Sequence, residues 1–181
     1  MQTDHFAVFG LERAPWLEAE ALRERFHRLS AERHPDAASG STAAFTELNA
    51  AWQILRDPAA RLRHFLELTH PNVLDQSAQP PAALADLFME IGALQQAVQQ
   101  FRARQTAATS PLARALLAPA RIALQTRVAA LAAQLAARHS TAIEAIAGAA
   151  PEQLAATLTA LIFLGKWSDQ LRQNALTLQE A

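Results

Sequence analysis

His34 and Asp36 place an imidazole and a carboxylate two residues apart, with Pro35 between them. These residue types could move protons or grip a polar partner. As an acid–base couple they would need a nucleophile or polarising group alongside. The sequence offers no Ser or Cys nucleophile motif, Gly-rich phosphate loop or paired-carboxylate motif to go with them. The six histidines, His5, His27, His34, His64, His70 and His139, make no His-x-x-x-His pair, and there is no Cys to join one. No metal-binding motif results. Catalysis, a bound metal and a resident cofactor are therefore not expected, and contact is the better use of these groups. Pro35 fixes its own φ and drives His34 out of the α region, so the three residues form a stiff bend that ends a helix near Arg33.

Two helical patterns must hold that bend. From Leu17 to Arg33, residues Leu22, Phe26 and Leu29 recur at steps of four and three. From Ser41 to Arg56, residues Phe45, Leu48, Ala51, Trp52 and Leu55 do the same. Such steps return to one helix face. Joined by a short connection, the two helices should pack antiparallel and bury their stripes together, leaving residues 34–36 exposed at the tip of a hairpin. Arg23, Arg25, His27 and Arg28 point outward on the first helix, offset by Glu20, Glu24 and Glu32. Composition alone makes this a solvated mixed-charge face. Before the hairpin, Asp4 can cap a short helix from Phe6 to Leu11, ending at Gly10 or just beyond, with Arg13-Ala14-Pro15 as connector. After it, Asp57-Pro58 opens a fourth helix to about Leu68, with Leu62, Phe65 and Leu66 apolar.

Taken together, Asp4-His5-Phe6, Phe9-Gly10-Leu11, the Leu22/Phe26/Leu29 register, His34-Pro35-Asp36, and Phe45 through Leu48-Asn49, Ala51-Trp52 and Leu55-Arg56-Asp57-Pro58 resemble a J-domain. This is the module by which DnaJ-type co-chaperones engage a DnaK-type ATPase chaperone. The resemblance implies that His34, Pro35 and Asp36 contact the chaperone. It also implies that Arg23, His27 and Arg28 meet an acidic surface of its ATPase domain. Local positive charge there would raise the encounter rate and make it salt-sensitive. One departure is that Ala37 and Ala38 follow the tripeptide where the family commonly has a Lys. Electrostatic anchoring should be weaker for it.

Composition sets the fold class. Hydrophobic residues make up 51% of 181 positions, but Ala supplies many of them. Long helices in close contact are expected rather than a thick core. Five Gly and few β-branched runs argue against a sheet, so the fold is expected to be all-α. The lack of Cys fits a reducing compartment. A net charge of −1 and 6% aromatics give no reason to expect nucleic acid or an anionic membrane as partner. Met1-Gln2-Thr3-Asp4 shows no basic region followed by an apolar one, so no signal peptide is expected, and the least polar run, Leu154 to Gly165, is too short to span a bilayer. A cytoplasmic protein is expected.

Residues 1–70 form the J-domain on this reading, and 71–80, with two proline sites and little periodicity, form a linker. Residues 81–181 form a three-helix bundle. Its first helix, Pro81 to Arg104, carries Leu84, Leu87, Ile91, Leu94, Val98 and Phe101 on one face. Ser110-Pro111 caps a short helix from Leu112 to Ala118, where Pro119 restarts or kinks the chain. A long helix then carries Leu124, Val128, Leu131, Leu135 and Ile146 and ends at Gly148. Pro151 opens the last helix, with Leu154, Leu158, Leu161, Leu164, Leu171 and Ala175 inward.

On a helical wheel Met89, Gly92, Ala93 and Gln96 point away from the buried stripe, with Phe88 at its edge. On the last helix Phe163 points opposite to Leu154 and Leu161, near Trp167. Exposed Met and Phe would make an adaptable apolar contact surface; equally, these residues could pack on their own chain. A J-domain followed by such a bundle, with Asn49-Ala50-Ala51-Trp52-Gln53, Leu87-Phe88-Met89-Glu90 and Phe163-Leu164-Gly165-Lys166, resembles the HscB family of iron–sulfur-assembly co-chaperones. That resemblance implies an HscA-type chaperone and an IscU-like scaffold protein held on an apolar patch. Phe88, Met89 and Phe163 match the patch. Gly92, Ala93 and Gln96 stand where the family has a Leu and acidic residues, and the connection from Thr106 to Ala120 is longer than usual. The expected function is stimulation of the chaperone's ATPase with delivery of the scaffold for cluster transfer. The alternatives are a J-domain co-chaperone for another client, or an interaction protein whose J-like hairpin no longer stimulates.

Overall fold

A computed structural model describes residues 3–37, 40–74 and 80–179. Ala38 in the bend and residues 75–79 of the expected linker lie outside the described residues. Every regular element among the described residues is a helix, as expected. The chain divides into two compact units: Met1–Gln76 with Ile143–Leu158, and Ser77–Ala142 with Thr159–Ala181.

In the first unit, α1 spans His5–Val8 and α2 spans Ala19–Arg33. Helix α3 spans Thr42–Leu55, and α4 spans Pro58–Thr69. The caps account for the starts. Asp4 accepts from the amides of Phe6 and Ala7, Ser41 from Ala44, and Asp57 from Ala60, with Pro58 in the first turn. Each satisfies amides that have no partner inside the helix. Partial burial pushes the Asp4 carboxyl up, but Arg13 and the amides of Ala7 and Phe6 bring it below the usual carboxylate value. Helix α1 is shorter than expected, because Gly10 takes φ +60° and turns the chain. Helix α2 begins two residues late, with Glu18 as its cap.

The core of this unit is Phe6, Phe9, Leu22, Leu48, Ala51 and Leu55, flanked by Phe26, Leu29 and Trp52. The rings of Phe26 and Trp52 stack at 4.5 Å between centroids, which fixes the pairing of α2 with α3. His64 is buried and accepts a hydrogen bond from the His5 amide at Nε2, 3.1 Å. Arg61 is buried too, donating from Nη1 to the Leu55 carbonyl at the end of α3 and from Nε to the Pro15 carbonyl. The remaining segment of this unit contributes the buried Ile146, Leu154 and Leu158.

The second unit contains α5, Ala85–Ala107, and α6, Pro111–Ala115. It also holds most of α7, Ala118–Glu144, and the rest of α8, Pro151–Gln179. Its core joins Leu87, Ile91, Leu94, Val98 and Phe101 of α5 with Leu124, Val128, Leu131 and Leu135 of α7 and Leu164, Trp167 and Leu171 of α8. Three helices therefore share one apolar centre, as their spacing predicted. Ser110 caps α6, and Pro119 sits in the first turn of α7 rather than interrupting it. Two expectations need correction. Helix α7 stops at Glu144, so Ile146 does not continue its stripe. The expectation that no stretch is long and apolar enough to span a bilayer, drawn from Leu154–Gly165, overlooked Pro111–Glu144, which is long and apolar enough by composition, with only 17% of its window buried. Alanine produces that value: exposed Ala129, Ala132 and Ala133 raise hydropathy without demanding burial.

Candidate functional site

Helix α2 stops where Pro35 requires it to. His34 leaves the helix with φ −57° and ψ 139°, the extended conformation that a following proline imposes. Two turns then close the bend: the Ala37 amide donates to the His34 carbonyl at 2.8 Å, and the Gly40 amide to the Ala37 carbonyl at 2.9 Å. All three residues of the tripeptide are exposed. The His34 ring leans edge-on against Phe45 of α3, 5.4 Å between centroids, so the imidazole is braced on one side. Its Nδ1 accepts the Asp36 amide at 3.3 Å and lies 3.5 Å from the Asp36 carboxylate. The Asp36 side chain is 91% exposed. The tip therefore presents a nearly bare carboxylate on a pinned backbone, poised to accept donors from another molecule.

Gly40 is part of this tip, and sequence reasoning missed it. A Cβ on Gly40 would lie 1.7 Å from the His34 carbonyl oxygen and 2.6 Å from its carbon. The bend closes on itself only because that atom is absent. Nothing in the local sequence marks this, since the close approach is to a residue six positions earlier.

The basic face of α2 resolves into two classes. Arg23, His27 and Arg28 are exposed, as expected, with Arg23 paired to Glu20 at 3.2 Å. Arg25 does not belong with them. Its Nε donates to the Phe9 carbonyl at 2.6 Å and its Nη2 to the Gly10 carbonyl at 2.7 Å, so it fastens α2 to the end of α1. Arg33 does the same one end along, donating to the Val8 carbonyl at 2.8 Å. These carbonyls end a short helix and would otherwise lack donors.

In the second unit, α5 presents Phe88 at 50% exposure and Met89 at 69%, the two largest apolar side chains on its outer face. Gly92, Ala93 and Gln96 continue the same exposed surface. A Cβ on Gly92 would meet nothing within 4 Å, so this glycine leaves open space and serves no backbone need. Phe163 is partly buried and packs against the bundle core. Its ring lies 5.6 Å from that of Trp167, with Lys166 Nζ 5.7 Å above it. Phe88 reaches the same indole at 6.1 Å. Buried Trp167 is thus the support on which Phe88 and Phe163 both rest. Phe88 of α5 and Phe163 of α8 meet at one indole, and Met89 is exposed next to Phe88 in the chain. The described residues hold no group of three or more His, Cys, Asp or Glu suited to a metal ion.

Residues 4–65 match the DnaJ domain family. The solved structure of the chaperone HscB from Vibrio cholerae is similar over 94% of this chain and 96% of its own, with a TM-score of 0.55 and 24% sequence identity. Residues 4–65 are a DnaJ domain, and the chain as a whole has the fold of an HscB-type J-domain protein.

Proposed function

We propose that this protein is a co-chaperone that brings a client to a DnaK- or HscA-type chaperone and accelerates its ATP hydrolysis. The observation that carries the proposal is the exposed, proline-stiffened tip on a DnaJ domain, with Asp36 bare and His34 braced. The chemistry belongs to the partner, and this chain is not an enzyme. Its contribution is tighter binding to the chaperone state in which hydrolysis proceeds than to the others. Asp36 and His34 supply polar contacts, and Arg23, His27 and Arg28 draw an acidic surface towards them. The J-domain role belongs to residues 1–70 and the client role to 81–181, joined through 71–80. The protein acts in the cytoplasm, with neither nucleic acid nor membrane as partner.

The client is an IscU-like scaffold whose iron–sulfur cluster passes on to acceptor proteins. It would dock on Phe88, Met89 and Phe163, with Gly92 and Gln96 at the edge of the footprint. Holding the client on one module raises its effective concentration at the chaperone recruited by the other. A second reading, a different client for the same J-domain, draws on the exposed Gly92, Ala93 and Gln96, which replace a Leu and acidic residues of the resembled patch.

The test is steady-state ATPase of the cognate chaperone. Wild type should raise the rate severalfold and Asp36→Asn should not. Equal rates for the two, or no response to wild type, would discard the proposal in favour of a non-stimulating interaction protein. A titration with an IscU-like scaffold, with Phe163→Ala as control, separates the two clients.

A further inference from the structure

Helix α5 carries charge only towards its two ends. Asp86 and Glu90 stand in its first two turns and Arg102 and Arg104 in its last two, while the eleven residues from Ile91 to Phe101 hold no charge. All four charged side chains are exposed, and none forms an ion pair with a described residue. Asp86 and Arg104 are eighteen residues apart, which is about five whole turns, so they share one face about 27 Å apart. Glu90, Ala93, Ala97 and Gln100 fall between them at steps of four and three, on the same stripe. The adjoining stripe of the outer face holds Met89, 69% exposed, with Gly92 and Gln96. Such a pattern is complementary to itself when reversed. Turned end for end about a two-fold axis at Gln95, a second α5 sets Asp86 against Arg104 at both ends, Glu90 against Gln100, and Ala93 against Ala97. A parallel pairing would instead oppose carboxylate to carboxylate and guanidinium to guanidinium. Small side chains at Ala93 and Ala97, and the open space at Gly92, let the two helices approach at the centre. Each charge also suits its own end of the helix dipole, so the pattern costs the single copy nothing.

We infer that a second copy of this chain docks antiparallel on α5, held by an Asp86–Arg104 pair at each end, and covers Met89. The same patch serves both copies, so the contact closes on itself as a two-fold dimer rather than growing into a filament. One helix lying on one helix over about 35 Å covers less than the roughly 800 Å² per partner of a standard interface. The dimer is therefore weak and exchanges with the single copy. A consequence follows that rests on the proposed client site. Met89, Gly92 and Gln96 belong to both surfaces, so a chain can hold its twin or its client on α5 but not both. Client binding then separates the copies, and self-association lowers the apparent affinity for client by the same linkage.

The experiment is sedimentation of the full chain from micromolar to millimolar concentration, at low and at physiological salt. Wild type should sediment more as a dimer as concentration rises, and less so with added salt. Asp86→Arg alone and Arg104→Asp alone each turn both ion pairs into repulsions, and each should weaken self-association about tenfold or more. Mixed one to one, the two variants regain both pairs, so the mixture should dimerise like wild type. That recovery, with melting temperatures matching wild type, also shows both variants folded. A wild type that stays monomeric throughout would overturn the inference. So would variants that dimerise like wild type, or a mixture no better than either alone. Adding an IscU-like scaffold should dissociate the wild-type dimer. If the scaffold binds and the dimer persists, the pairing does not cover Met89 and the inference fails. If the scaffold binds neither wild type nor Arg104→Asp while the charge swap behaves as described, the client reading falls and the dimer stands.

Discussion

Replacing Gly40 with Ala offers the sharpest test of how the tip is held. The added Cβ would stand 1.7 Å from the His34 carbonyl oxygen, against an ordinary contact of about 3.5 Å. The neighbour is backbone, so no side chain can swing away. The two strands of the bend must separate by about 2 Å, which breaks the turn bonds from Gly40 to Ala37 and from Ala37 to His34. Each is worth roughly 1 kcal/mol net, giving a loss of about 2 kcal/mol. For a chain of this size that corresponds to a fall in Tm of about 4–8 °C. The moving carbonyl belongs to His34, so the ring would lose its brace on Phe45 and its bond to the Asp36 amide. Thermal unfolding and chaperone ATPase should be measured on the same preparations. Gly40→Ala should lower both Tm and stimulation, whereas Asp36→Asn should lower stimulation alone. A Gly40→Ala protein that melts and stimulates like wild type would refute the argument that the tip depends on this close approach.

Further predictions concern single side chains. Arg25→Ala should cost about 2 kcal/mol of stability, read as a shifted denaturant midpoint, because two charge-assisted bonds to Phe9 and Gly10 are lost. Arg28→Ala should leave that midpoint within about 0.5 kcal/mol, its side chain being exposed, while slowing association with the chaperone. Phe88→Ala with Met89→Ala should scarcely change Tm, since both side chains face solvent. Covering their exposed parts contributes about 1.5 kcal/mol each, so client affinity should fall by about a hundredfold in calorimetric titration. Burial, and next the charge of His5, hold His64 below its ordinary 6.5, against the opposing pull of Asp4 and Glu67. The unfolded chain therefore takes up this proton first on acidification, and stability falls as pH drops below about 6.5. His64→Gln should flatten the difference in denaturant midpoint between pH 7.5 and 5.5, and an unchanged difference would assign it elsewhere.

The parts of the fold that announced themselves in the sequence are those set by local rules. Asp4 and Asp57 each marked a helix start because a cap acts on amides two or three residues away. The stripes of α2, α3 and α5 were legible because helix geometry converts spacing into a face. Arg25 shows where residue type misled. It lies three residues after Leu22 and four before Leu29, on the inward register, yet its charge placed it outside. Spacing was the better guide, because a guanidinium can face inward when carbonyls wait for it. Gly40 and Arg61 had no local signal at all, since their partners are brought near only by the closed bend and by the α3–α4 corner.

Alanine accounts for the other errors, and the same reasoning bears on the site. In α7 the run of Ala gave no stop signal before Gly148, because Ala neither caps nor breaks a helix, and it raised hydropathy on residues that need no cover. In α8 the spacing of Leu154, Leu158, Leu161, Leu164 and Leu171 fixed which face is buried but not against what. The first two belong with one compact unit and the later three with the other. Periodicity is a property of one helix, and partner choice is not. Phe88 and Met89 are the converse case. A wheel placed them off the stripe, but only their exposure in the fold separates a contact surface from residues covered by their own chain. With Trp167 buried beneath Phe88 and Phe163 half covered against the same indole, the surface is rigid at its base and open at its top. That is the condition under which truncating the top should weaken binding without unfolding the bundle.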